Sequence, residues 1–282
     1  MTLRDEAALP RARLDADYTA RNCATPDHFT RIIAAYASHS KAALTLPGTT
    51  LNLRYDADST QTLDLYNAGK NHPVLLFIHG GYWRALSKEH SAFMAPMLAA
   101  KGIATAVPDY ALAPDASLTE ITRQMCAAFA HLWHNAAALG INRDRIVVAG
   151  SSAGGHLAAA LAMRGWQVEF DLPETAVHAC LPISGLFELA PIAASHVQDW
   201  LNLTQAEVEA LSPLRHTCGT ARSLIAVAAQ ETSGFHRQSS AYAAALGAPL
   251  ITISARNHFD VILDLMQPST RLSTALLGLF VP

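Results

Sequence analysis

The chain has 282 residues, 51% hydrophobic and 15% charged, a profile that fits a globular enzyme and excludes a disordered or coiled-coil chain. Its formal net charge of −3 comes with no basic cluster, so nucleic acid is not expected as a partner. Residues 1–9 hold no continuous apolar stretch that could act as a signal peptide or membrane span, and Cys23, Cys126, Cys180 and Cys218 are scattered without a CxxC pair; the expectation is a cytoplasmic protein with reduced cysteines and no membrane contact.

The first element expected is a helix within an N-terminal extension covering residues 1–46. Pro26 and Asp27 open it, and Phe29, Ile32, Ile33 and Tyr36 recur at helical spacing. Pro47-Gly48 then breaks the chain ahead of an alternating run at 62–66 that suits a half-buried strand. Residues 74–78 are continuously apolar, as in a strand covered on both faces. A helix is expected over 87–100 and a strand over 103–107. Ser117 and Glu120 have capping-box spacing before a helix whose Ile121, Met125, Phe129 and Leu132 share one face. Strand 145–149 runs at once into an Ala-rich helix over about 153–163. Further strands are expected at 177–183, 223–229 and 249–254, with helix over 235–246 and again near the C-terminus. This alternation predicts an α/β fold, a mostly parallel sheet with helices on both faces. No repeat, linker or low-complexity tract divides it, so residues 1–282 are expected to form a single domain.

Gly150-Ser151-Ser152-Ala153-Gly154 is a G-x-S-x-G pattern between a predicted strand and a predicted helix. The bare pattern arises by chance in about one chain in ten of this length, so the setting carries the weight. That setting resembles the nucleophile elbow of the α/β-hydrolases, where the turn is so sharp that the serine's neighbours must be small. Ser152 fits; Ser151 would need glycine where Ala149 stands. The amide of Ala153, opening the helix, is free to donate to a developing oxyanion. His79-Gly80-Gly81-Tyr82-Trp83 follows the strand at 74–78, and the amides of Gly81 and Tyr82 are the expected further donors. His79 braces that loop rather than titrating.

The expected chain order is nucleophile, acid, base. His258 lies just past a predicted strand, whereas His236 falls inside a helix, so His258 is the base. Glu231 follows strand 223–229, where a carboxylate can accept from the imidazole N–H and stabilise its cation. Asp260 is the alternative acid, though a residue two positions from the histidine rarely reaches its ring. The 13 histidines show no HExxH or other ligand spacing, so no metal and no cofactor are expected.

With these residues placed, the chain resembles the kynurenine formamidase (arylformamidase) branch of the α/β-hydrolases and its bacterial esterase-like relatives. The resemblance rests on His79 to Trp83, on Ser87-Lys88-Glu89 and Ser91-Ala92-Phe93-Met94, and on Gly150 to Ala158. It continues through Ser184-Gly185-Leu186-Phe187-Glu188-Leu189, Phe235-His236-Arg237-Gln238-Ser239 and His258-Phe259-Asp260, spanning about 63–265. It implies Ser152 as nucleophile, His258 as base and the oxyanion at the glycine loop. The family's acid is usually an aspartate at the position held here by Glu231, one methylene longer. Gly155 stands where many formamidases carry alanine, a change typical of broader esterases. The short span from 186 to 212 leaves room for a small helical cap and a fairly open pocket.

The function expected is hydrolysis of a small aryl formamide, such as an N-formylkynurenine-like compound, or of a short-acyl ester. Tyr82 and Trp83 form a natural acyl or aryl wall, and Trp83, Phe187, Phe235 and Phe259 are the expected substrate-binding residues. The alternatives are a general short-chain carboxylesterase and a non-catalytic ligand-binding relative, which typically loses the serine or histidine. The partner expected is a small-molecule ester or amide; a homodimer is compatible with the sequence.

Overall fold

The structure is a computed structural model that describes residues 2–219 and 221–281. Its N-terminal segment carries two α-helices where one was expected, α1 (Arg11–Tyr18) and α2 (Pro26–Ser40). In α2, Thr25 caps the helix by accepting from the His28 N–H at 3.3 Å, Pro26 occupies the first turn, and Ile32 and Tyr36 are buried. The missed α1 has a weak apolar face, with only Leu14, Asp17 and Tyr18 buried, and tertiary contacts hold it. Arg237 pairs with both Asp17 at 2.8 Å and buried Glu6 at 2.5 Å.

The chain then builds β1 (Thr50–Arg54), β2 (Thr62–Tyr66), β3 (His72–Ile78), α3 (Ala95–Ala99), β4 (Ala104–Pro108), α4 (Leu118–His134), α5 (Ala136–Leu139), β5 (Ile141–Ser151) and α6 (Ala153–Leu161). After β6 (Ala179–Ile183) come three short helices, α7 (Ala190–Ala193), α8 (Gln198–Leu201) and α9 (Gln205–Leu211), which form the small cap. The fold closes with β7 (Arg222–Ser223), β8 (Ile225–Gln230), α10 (Ser233–Leu246), β9 (Leu250–Asn257) and α11 (Arg271–Gly278).

Among the described residues the strands make one sheet in the order β1-β2-β4-β3-β5-β6-β8-β9, with β7 beside β6. The β1–β2 and β2–β4 pairs are antiparallel; the pairs from β3 onward are parallel. The alternation in β3 shows why the run is wholly apolar. Val74, Leu76 and Ile78 join a core with α4 and α6, while Leu75 and Phe77 join another with α2, α3 and α11. This mostly parallel sheet, covered on both faces, is the α/β-hydrolase fold.

Two local expectations change. The stretch 87–100 is not one helix: a short 3-10 turn at Lys88–His90 precedes α3, which Pro96 helps to start. Lys88 is drawn inward instead, its ammonium donating to Asp64 at 2.7 Å, Thr62 at 2.8 Å and Asn52 at 2.5 Å. A buried charge must be paired and hydrogen-bonded, and this need overrides helical continuity. At α4, Ser117 accepts from the Glu120 N–H at 3.2 Å, but the Glu120 carboxylate turns to Arg123 at 2.7 Å and leaves the box half closed.

Candidate active site

The end of β5 and the start of α6 meet at Ser152, whose φ of 58° and ψ of −119° lie where L-residues are strained. Such a conformation costs on the order of 1–3 kcal/mol, and the surrounding backbone enforces it. A Cβ on Gly150 would come within 2.2 Å of the Gly154 carbonyl oxygen, and one on Gly154 within 2.0 Å of that of Ile78. The two flanking glycines are therefore steric requirements of the turn. Gly155 is another: a Cβ there would lie 2.9 Å from the Ile183 carbonyl oxygen and 3.0 Å from the Gly185 Cα. Close passage of β6 explains this glycine without reference to substrate breadth.

His258 follows β9 and Glu231 follows β8, so adjacent parallel strands deliver both side chains to the same end of the sheet as Ser152. The His258 Nδ1 lies 2.8 Å from the Glu231 Oε2, with both side chains almost wholly buried. The other oxygen, Oε1, accepts from the Ala228 N–H at 2.8 Å and from the Ser184 hydroxyl. The longer glutamate thus curls back over its own strand end, with a hydrogen-bond partner at each carboxylate oxygen. Asp260, the alternative acid, is committed elsewhere: it accepts from the Asn257 N–H at 2.7 Å and lies 3.5 Å from His28. His236 sits inside α10, as expected. Phe235 packs against the imidazole, with ring centroids 4.3 Å apart.

Gly81, Tyr82 and Trp83 all have positive φ, at 102°, 50° and 58°, so the loop turns sharply after β3. The crowding at Gly81, where a Cβ would sit 2.2 Å from the Ala85 carbonyl oxygen, demands glycine. Among the described residues no hydrogen bond uses the N–H of Gly81, Tyr82 or Ala153, so all three remain open donors. His79 is buried, stacks on Tyr110 at 4.1 Å and holds the Gly80 carbonyl with its Nδ1 at 2.8 Å. Burial lowers its pKa to about 4, which keeps the ring neutral.

A cavity of about 280 Å³ opens on Ser152 and His258. Of the aromatics expected to bind substrate, Phe259 lines it, and so does Tyr82. Trp83, Phe187 and Phe235 do not. Trp83 is buried edge-on to His156 at 5.2 Å, and Phe187 stacks on Tyr242 at 4.2 Å in a separate cluster. Their segments converge on the site, but their side chains turn into the core, where an aromatic ring buries more area. The unexpected walls are Thr19, Arg21, Phe29 and Tyr36 from the N-terminal segment and His196 and Trp200 from the cap. The pocket is therefore closed on a side where the short cap alone would leave it open. Periodicity marked Phe29 and Tyr36 as one face of a helix; nothing local said what that face would meet.

Comparison with known proteins adds to this geometry. The family described as BD-FAE matches residues 63–212, just over half of the chain. The chain belongs to the BD-FAE family. That match takes in the glycine loop and Ser152, while Glu231 and His258 lie beyond it. This BD-FAE member is also similar to the kynurenine formamidase of Salmo salar, 27% identical over 264 residues that cover 87% of this chain and 86% of that protein. The kynurenine formamidase of Drosophila melanogaster is likewise 27% identical, with coverages of 86% and 84%. A solved structure from Silicibacter sp. TM1040, described as a thioesterase candidate, has a TM-score of 0.80 and 28% identity, covering 93% of this chain and 97% of that one. An esterase from Pyrobaculum calidifontis shares the fold at a TM-score of 0.73 and 15% identity, covering 97% and 94%. The chain is a hydrolase of the α/β-hydrolase type. No helix among the described residues is long and apolar enough to cross a membrane.

Proposed function

We propose that this BD-FAE member is a serine hydrolase that cleaves a small aryl formamide or a short aryl ester through an acyl-enzyme on Ser152. The observation that carries the reading is the buried 2.8 Å contact between His258 and Glu231 at the mouth of the cavity that also receives Ser152. His258 takes the Ser152 proton as the hydroxyl attacks the carbonyl, and Glu231 fixes the tautomer and stabilises the imidazolium. The open amides of Gly81, Tyr82 and Ala153 receive the negative charge that develops on the substrate oxygen. His258 then protonates the departing amine or alcohol, and water, activated by the same imidazole, releases the acyl group. Ser152 and His258 make no hydrogen bond to each other in the free protein; such contacts commonly tighten only with substrate bound.

The similarity to kynurenine formamidases over most of both chains favours an aryl formamide. The esterases among the structural neighbours, and local similarity to the esterase LipC of Mycobacterium tuberculosis (33% over 144 residues, 48% of this chain), favour a short ester as the second reading. The test is fluorophosphonate labelling with peptide mapping, followed by turnover of a formyl anilide and a short aryl ester. Label on Ser152, and loss of both label and turnover in Ser152→Ala, is the expected result. Activity above about 1% in that variant would remove Ser152 from the mechanism. Cleavage of the ester but not the anilide would select the second reading.

A further inference from the structure

The cavity walls are mostly apolar or aromatic, and the formally charged side chains among its lining residues are both arginines. Arg21 comes from the N-terminal segment and Arg84 from the loop after β3. Each guanidinium sits over an aromatic face, the Arg21 Cζ 3.5 Å from the Phe29 ring centre and the Arg84 Cζ 3.7 Å from that of Trp200. Phe29 and Trp200 line the same cavity. Cation–π contact with the ring holds each cation at the wall without consuming its N–H donors. Those donors are unused: among the described residues neither Arg21 nor Arg84 makes a side-chain hydrogen bond or an ion pair, whereas nine other arginines pair with carboxylates.

An arginine over an aromatic ring is often just surface packing. Here two unpaired cations from segments distant in sequence are held against one cavity that has no acidic lining residue. The carboxylates that contact lining residues are already engaged: Glu231 lies 2.8 Å from His258 and is held by the Ala228 N–H and the Ser184 hydroxyl, and Asp15, 3.3 Å from His196, is shared with Arg11.

We propose that Arg21 and Arg84 form a carboxylate-binding clamp that selects substrates bearing an anionic group beyond the scissile bond. This rests on the hydrolase reading of the site and gives its substrate a charge. A planar carboxylate matches the edge of a guanidinium, so each arginine offers it charge-assisted hydrogen bonds. Solvent at the cavity mouth screens the interaction, which limits each arginine to about threefold to tenfold in affinity.

The test uses matched pairs that differ only in charge: 4-acetoxybenzoate against its methyl ester, and 4-formamidobenzoate against its methyl ester. The wild type should favour the acid of each cleaved pair by about tenfold in kcat/KM, mainly through KM. The preference should shrink between 0.1 and 1 M salt, as the Debye length falls from about 10 to 3 Å. Arg21→Gln and Arg84→Gln should each lower the acid-to-ester ratio about threefold, and the double variant should bring it to one or below. A wild-type ratio at or below one, or an unchanged ratio in the double variant, overturns the clamp. Calorimetric titration with 4-hydroxybenzoate and its methyl ester needs no turnover. Preferred binding of the acid, lost in the double variant, upholds the clamp even where no substrate is cleaved, and then only the hydrolase reading falls. Equal binding of acid and ester by the wild type rejects the clamp whatever the kinetics show.

Discussion

Tyr36 on α2 donates its phenolic hydrogen to the backbone carbonyl of Phe259, the residue next to His258. The donor is secure, because burial raises the phenol's pKa far above neutrality. Two further contacts make the N-terminal segment a strap across the site. The Tyr82 hydroxyl donates to the Tyr18 carbonyl, and the Thr232 hydroxyl donates to the Asp17 carbonyl at 2.5 Å. The glycine loop, the acid loop and the base loop are thus all tied to residues 17–36.

Removing the Tyr36 hydroxyl should therefore act on the base as well as on stability. In Tyr36→Phe the ring keeps its packing on Phe93, with centroids 5.6 Å apart, but the Phe259 carbonyl loses its donor. The expected cost is about 1–2 kcal/mol in a urea melt, with kcat down about tenfold as His258 loses its placement. A stability loss with kcat unchanged would confine Tyr36 to a structural role.

The acid should rank clearly in mutagenesis. Glu231→Gln keeps the shape but offers His258 a neutral amide, and the Ala228 N–H and Ser184 hydroxyl compete for its single oxygen. The rate should fall by about four orders of magnitude, as when such an acid is neutralised elsewhere. Asp260→Asn disturbs the turn at Asn257 and the contact with His28, and should cost tenfold or less. Steady-state kinetics of the two variants settle it; the reverse ranking would make Asp260 the acid.

Stability should fall in mild acid. His79 and His156 are both fully buried, and desolvation lowers each pKa to about 4, against about 6.5 in an unfolded chain. Between those values the unfolded state binds more protons, so folding weakens as pH drops from about 6.5 towards 4. Each histidine carries on the order of 3 kcal/mol across that window. Urea melts at pH 7, 6 and 5 should show the decline. His156→Gln, whose amide can still donate to the Leu211 carbonyl now held by the ring at 2.8 Å, should flatten the slope whatever its absolute stability. An unchanged slope would show that His156 already titrates normally in the fold.

The sequence made legible whatever depends on local pattern. The apolar run of β3 and the sharp turn between β5 and α6 follow from spacing and from positions that only glycine permits, and the proposed order Ser152, Glu231, His258 rests on the same local pattern. What it hid depends on where side chains meet. Trp83, Phe187 and Phe235 looked like a substrate wall because they neighbour site motifs, but each faces the core. Arg21, Tyr36 and Trp200 reach the cavity from 131, 116 and 48 residues away from Ser152 in the chain, and their local sequence carries no sign of it. Even α1, nearly without an apolar stripe, exists because Arg237 and α10 receive its buried face.

Cavity size bears on the acyl chain. At about 280 Å³ the space beside Ser152 lies at the lower end for small-molecule sites, and Phe29, Tyr36, Tyr82, Trp200 and Phe259 fill much of its perimeter. Rings in such a wall favour an aromatic group: each good ring contact adds about 0.5–1.5 kcal/mol beyond area burial. Two or three contacts give roughly ten- to a few hundred-fold preference. A long alkyl chain gains about 0.8 kcal/mol per buried CH₂ only while it stays inside the cavity. Because Tyr36 and Tyr82 are fixed through their hydroxyls to backbone carbonyls, the walls cannot spread cheaply to admit more. The expected outcome is that 4-nitrophenyl acetate and butyrate are cleaved at least tenfold more efficiently than 4-nitrophenyl decanoate, measured as kcat/KM below the surfactant threshold. Rising efficiency from acetate to decanoate would mean that the acyl chain leaves the cavity along an open groove, and that the aromatic perimeter does not limit substrate length.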